Sequence, residues 1–297
     1  MSIVIAGTVA IDNVITPHDR KENLLGGSAS YAALAASVFC RPVHLVGVIG
    51  HDFPKDHLDL LEGRGITLDP PTPPAGPSKA TNPPTPPRPA TPALGIGSPA
   101  VKGAGAEAKI AVLANMSPDN QMQMLEQSGK ADFIAADTMD LWIEIAQERL
   151  HDVLKKVDLL VINEGEAKEF AGTGNLVVAG RKLQAKGPRF VVVKRGEHGS
   201  FLFGEKNEDF FACSAYPLHS VFDPTGAGDS FLGGMAGWLA ANGKSKPAFE
   251  DLKTAVVHGS VTASYTCEAF STLRLQDVTK ADVAARIAEL RSFTAFA

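Results

Sequence analysis

Cysteine is scarce in this 297-residue chain: Cys40, Cys213 and Cys267 lie far apart, and no C-x-x-C spacing occurs. That argues against a zinc ribbon and against a disulfide framework, and it suits buried thiols in a reducing cytoplasm. A basic excess is missing too. With a net charge of −5 and a pI of about 5.9, the chain carries no nucleic-acid footprint, so any anionic ligand must be met locally. Long apolar runs are absent. The N-terminal "MSIVIAGTVAID" has no basic region and too short an apolar stretch for a signal peptide or a membrane span, and reads as a first β-strand. Nor is there a G-x-G-x-x-G after that strand, which counts against an NAD-dependent dehydrogenase.

What is present is an alternation. Short β-branched runs at 3–7, 43–50, 109–115, 132–137, 158–163 and 189–194 are separated by helical stretches at 28–40, 56–65, 117–129 and 163–172. Such alternation predicts an α/β fold with a doubly wound, mainly parallel sheet flanked by helices. After Lys194, "GSFLFGE" and "EDFFACSAY" predict an antiparallel hairpin at the sheet edge. The last third predicts helices over 227–242, 249–266 and 279–295.

One stretch stands apart. Twelve of the chain's 20 prolines fall between Pro70 and Pro99, and from Pro70 to Ala106 there is no acidic or aromatic residue. Taken by itself, the Pro/Gly-rich segment 69–106 is a linker, a loop or a disordered insert within a single domain spanning 1–297.

The densest chemistry lies at "DPTGAGDSF", residues 223–231. Gly226 and Gly228 allow consecutive N–H groups to converge on an anion at a helix start, where the helix end adds positive charge. Asp229 would repel a phosphate unless it takes a proton from an attacking hydroxyl. A plain aspartate cap after a glycine turn is the competing reading.

The nine residues of this stretch closely resemble the C-terminal signature of the ribokinase-like carbohydrate kinases, the PfkB family, which includes adenosine kinase. "LLGGSASYAA" (24–33), "NEGEA" (163–167) and "KRGEHGS" (194–200) resemble the family's Gly-Gly, NxxE and KxGxxG elements, in that order. The resemblance implies an ATP-dependent phosphotransferase acting on a hydroxyl of a sugar or nucleoside, with Asp229 as general base and the amides of Gly226, Ala227 and Gly228 as anion hole. It implies Asp12, at the end of "GTVAID" read as the first strand, together with Gly26 and Gly27, as the acceptor site. Tyr31 stands where many sugar kinases have Asn, and fits either a substrate contact or a core position on its helix.

For ATP, the resemblance implies Asn163, Glu166, Lys194, Gly196, Gly199 and, on a later helix, His258. Magnesium would be held by Glu166 through water, and Asp223 with Thr225 are the candidates for a monovalent cation such as potassium. Glu164 and Glu169 fit a solvated helix face.

The family closes its sugar site with a small β-lid built from strands near 8–25 and from a second segment, expected here between Ile66 and Lys109. The proline-rich text occupies that place, so the lid is expected to be reduced or disrupted. Either an insert replaces it, or the coding sequence shifts out of frame and back. A homodimer through lid strands, common in the family, depends on the same segment. A nucleotide- or sugar-binding protein that kept the fold and lost turnover is the alternative function.

Overall fold

Strand β1 (Ile3–Ala6) is buried along its whole length, with Ile3 and Ile5 in one apolar cluster and Val4 and Ala6 in another. Such burial on both faces is what a continuous aliphatic run gives when helices cover a sheet on each side. The computed structural model describes residues 1–15, 20–50, 52–68, 100–101 and 103–295. The second lid segment expected from the sequence lies, from 69 to 99, outside the described residues.

Beyond β1 the chain forms an antiparallel pair, β2 (Ala10–Ile15) and β3 (Arg20–Gly26), then α1 (Ser28–Ser37), β4 (Val43–Val46), α2 (Lys55–Gly63) and β5 (Ile66–Leu68). There follow β6 (Ile110–Leu113), α3 (Pro118–Gln127), β7 (Phe133–Asp137), α4 (Asp140–Ile145), α5 (Gln147–Leu154), β8 (Leu159–Asn163), α6 (Glu164–Ala171), α7 (Leu176–Gln184) and β9 (Phe190–Lys194). The hairpin β10 (Ser200–Phe203) and β11 (Phe210–Cys213) precedes α8 (Ala227–Ala241), α9 (Phe249–Thr266) and α10 (Lys280–Thr294).

Nine strands make one sheet in the order β11-β10-β9-β8-β7-β6-β1-β4-β5; its seven strands from β9 to β5 are parallel, and β10 and β11 complete it antiparallel. One face is covered by α1, α2, α8 and α9, the other by α3, α5, α6 and α7. The doubly wound sheet and edge hairpin expected from the sequence are therefore present, and β2–β3 forms a separate two-stranded sheet near the expected lid position.

One expectation is corrected. "GTVAID" is not one strand: β1 ends at Ala6, Thr8 N–H and Thr8 Oγ1 bond to Ser28 Oγ (3.1 and 3.0 Å), and Asp12 falls within β2. At Gly7, where the chain leaves the main sheet, a side chain would meet the Ser28 hydroxyl and Ala114. Among the described residues no helix is long and apolar enough to cross a membrane.

Candidate active site

Parallel strands end together at one edge, where doubly wound folds place their ligands. At that edge β7, β8 and β9 finish in Asp137, Asn163 and Lys194. Asn163 and Lys194 are cross-strand partners, whereas Asp137 stands two strands from Lys194. Lys194 nevertheless reaches it: Nζ donates to Asp137 Oδ2 at 2.9 Å, with 17% of the lysine side chain and 5% of the aspartate side chain exposed. The other oxygen, Oδ1, accepts from Thr138 N–H at 2.8 Å.

Asn163 starts α6 with a reciprocal cap. Its Oδ1 accepts from Glu166 N–H (2.9 Å), and Glu166 Oε2 accepts from Asn163 N–H (3.2 Å). Glu166 is buried, and its carboxyl is pushed up to about 7 by that burial and by Asp137, with Lys194 pulling the other way. Its second oxygen takes no part in the cap.

Above these strand ends lies the start of α8. Gly226, at φ 76, is the N-cap, in a left-handed conformation that a side chain would strain. Ala227 N–H bonds to Pro224 O (3.1 Å), which commits one of the three amides assigned to the anion hole. Among the described residues, no backbone carbonyl accepts from the N–H groups of Gly226 and Gly228. At Gly228 the approach is close: a Cβ there would stand 2.8 Å from Lys194 Nζ. Asp229 follows in the first turn. Burial first, then Asp137, pushes its carboxyl up to about 7, against the pull of Lys194. For Lys194, burial lowers the ammonium, but Asp137, Asp229 and Glu166 together outweigh it and raise the group.

The β2–β3 pair is tied down beside this loop. Ser271 Oγ and Thr272 Oγ1 both donate to Leu25 O (2.6 and 3.3 Å), and Ser271 N–H reaches Asp223 Oδ2 at 3.5 Å. Asp12 lies against Gly26, where no side chain would fit, and its pKa is raised by burial and by Asp223. Asp223 Oδ1 also accepts from Thr225 N–H (3.0 Å), so both its oxygens serve loop backbone. Gly27, at φ 90, caps α1 and accepts the Tyr31 N–H at 3.2 Å.

Tyr31 is 2% exposed, and its ring presses on Gly226. The neighbouring Ser271 hydroxyl donates to Leu25 O, and among the described residues Tyr31 Oη meets no partner at hydrogen-bonding geometry. Burial and the carboxylates of Asp12, Asp223 and Asp229 raise its pKa. Tyr31 thus packs as a core residue beneath the loop. Asp229 therefore belongs to two electrostatic neighbourhoods, one with Lys194, Asp137 and Glu166 and one reaching Tyr31 beside Asp12 and Asp223.

Gly196 and Gly199 shape the turn between β9 and β10, closed by Arg195 N–H on Gly199 O at 2.7 Å. His258 is not gathered with the others. It sits on α9 against Trp238 and Phe39, at 5.1 and 5.7 Å between ring centroids, and Nδ1 donates to Thr254 O at 2.8 Å. Trp238 is nine residues along α8 from Asp229, about 13 Å of helix.

Asp137 was not legible as a site residue. A strand ending "FIAAD" offers a carboxylate at its end, but its pairing with Lys194 emerges only once β7, β8 and β9 are known to be neighbours.

Residues 106–277 match the family model described as pfkB family carbohydrate kinase. A cytidine kinase of Thermococcus kodakarensis is 28% identical over 262 residues, covering 84% of this chain and 91% of that protein. A nucleoside kinase of Methanothermobacter thermautotrophicus is 27% identical over 267 residues, covering 86% and 82%. A putative ribokinase II from E. coli superimposes with a TM-score of 0.74 in its apo form and 0.70 in its complex with ATP and Mg2+, at 15% identity in both. The apo comparison covers 97% of this chain and 100% of that one. The chain has the ribokinase-like fold and belongs to the pfkB family of carbohydrate kinases.

Proposed function

We propose that the protein is an ATP-dependent kinase that moves the γ-phosphoryl group to a hydroxyl of a nucleoside or sugar, with Asp229 as general base. The observation that carries this reading is Asp229 itself. It stands in the first turn of α8, one residue past a glycine turn, and its carboxyl is pushed up to about 7. A base of that strength is matched to proton transfer near neutral pH.

In the transfer, the acceptor oxygen forms its bond to the γ-phosphorus while its proton passes to Asp229. The bond from that phosphorus to the bridging oxygen breaks, and its electron pair leaves on ADP. Asp229 then returns the proton to solvent. The N–H groups of Gly226 and Gly228 and the α8 N-terminus meet the charge on the transferred group. Asp12 accepts hydrogen bonds from the acceptor's hydroxyls, while Tyr31 holds the loop from below.

Magnesium fits the donors present. Among the described residues no group of three or more His, Cys, Asp or Glu could cage a metal, and an ion that prefers water and phosphate oxygens needs only one or two carboxylates, here Glu166 through water. When bound, it supplies positive charge to the phosphates. Lys194, Gly196 and Gly199 bound the nucleotide side.

Two relatives matched over most of their length are kinases of cytidine and of nucleosides, which supports a nucleoside acceptor over a free sugar. The test is a panel of cytidine, adenosine, ribose and fructose with Mg-ATP, the products identified by phosphorus NMR. A phosphate ester on a nucleoside hydroxyl is expected. ATP binding without a phosphate ester on any acceptor would overturn the reading.

A further inference from the structure

We propose that Asp137 is a positioning residue for phosphoryl transfer: it holds the Lys194 ammonium against Gly228, so that this ammonium meets the γ-phosphate rather than the rest of the nucleotide. The proposal rests on the ATP reading above and goes further, assigning Asp137 a role and Lys194 a specific phosphate.

Three features of the geometry carry it. The Asp137 carboxylate is fixed at both oxygens, Oδ1 by Thr138 N–H (2.8 Å) and Oδ2 by Lys194 Nζ (2.9 Å), while its carbonyl accepts from Gln121 Nε2 (2.9 Å). With its side chain only 5% exposed, it cannot swing away with the lysine. Lys194 could satisfy its charge in water from a strand end, yet it leans across β8 towards a partner two strands away. The lean brings Nζ to the first turn of α8, where any Cβ at position 228 would stand 2.8 Å from it. A cation there lies beside Asp229, the base, and beside the Gly228 N–H, where the transferred group must sit.

The test uses binding rather than turnover. Asp137→Asn, Lys194→Met and the double variant are titrated with Mg2+ and either AMP-PNP or ADP by calorimetry, after thermal melts establish folding. Both single variants are expected to weaken AMP-PNP by about tenfold and ADP by less than about twofold, the loss of one charge-assisted contact. The double variant is expected to be no worse than Lys194→Met, because both act through one ammonium. If a single variant does not fold, the double variant, which buries no unpaired charge, carries the comparison between AMP-PNP and ADP.

Equal weakening of ADP and AMP-PNP, or additive losses in the double variant, would overturn the proposal. So would a raised Mg2+ requirement in Asp137→Asn alone, which would make Asp137 a metal ligand. If the parent protein binds neither AMP-PNP nor ADP, the ATP reading itself fails, and this proposal with it.

Discussion

Lys194 Nζ lies 2.9 Å from Asp137 Oδ2, although the strand ending in Asn163 runs between the two residues' strands. Neighbouring strands are spaced about 4.8 Å apart, so the lysine spans two such steps with its extended stem. The consequence is a cation parked at the beginning of α8 near two carboxyls, Asp229 and Glu166, that burial pushes up.

Gly228→Ala tests how closely that cation must approach. The added methyl would stand 2.8 Å from Nζ, and the lysine must shift, because the methyl is fixed to the helix. Alanine in a first turn does not weaken a helix. Melting temperature should therefore hold while kcat falls roughly tenfold, the scale of one weakened transition-state contact. Unchanged kcat would show that the contact carries no function.

Gly26→Ala probes the other half of the site. Asp12 lies so close to Gly26 that a side chain there must displace the carboxylate. If Asp12 binds the acceptor, the variant raises the acceptor KM by about tenfold or more and leaves the ATP KM nearly unchanged. Equal effects on both substrates would contradict the assignment.

Rate should also depend on pH in a defined direction. Asp229 must be ionised to accept a proton, and burial and Asp137 raise it to about 7. The rate kcat/KM should then fall about tenfold per unit as pH drops below that value. Glu166 is also pushed up to about 7, so the limb is a shared titration. The control is Glu166→Gln, which should be slower yet keep the acid limb. A flat profile in that variant would move the titration to Glu166.

The same shift has a stability sign. Asp229 rises from an ordinary 3.8 to about 7 on folding. Between those values the folded chain holds a proton that the unfolded chain has released, so stability falls as pH rises through the window. Asp229→Asn removes the desolvated charge and should melt higher than the parent at about pH 8, with the gap narrowing towards about pH 5. A gap independent of pH would show that the carboxyl is not raised.

The sequence and the structure part at specific residues. Aliphatic runs separated by capped helices announce the sheet: Ser117 accepts from Asn120 N–H where the helix over 117–129 was expected to start. "DPTGAGDSF" announced the glycine turn and the aspartate in the first turn of the helix that follows it. Helix α7 was hidden because "LVVAG" is β-branched and glycine-containing, and only its Asn175 cap, bonded to Val177 and Val178 N–H, betrays it. The committed Ala227 amide was hidden as well, since a four-residue turn back to Pro224 has no sequence period. Asp137 was hidden for a deeper reason. Its partner lies 57 residues away, and contact between them depends on the strand order.

The most direct measurement compares Asp229→Asn with the parent in two assays: acceptor-dependent ADP release and AMP-PNP affinity. Loss of a general base predicts that kcat falls by about a hundredfold or more, while AMP-PNP binds no more weakly than to the parent. A variant that releases ADP at the parent rate with the same acceptor would contradict the role of Asp229.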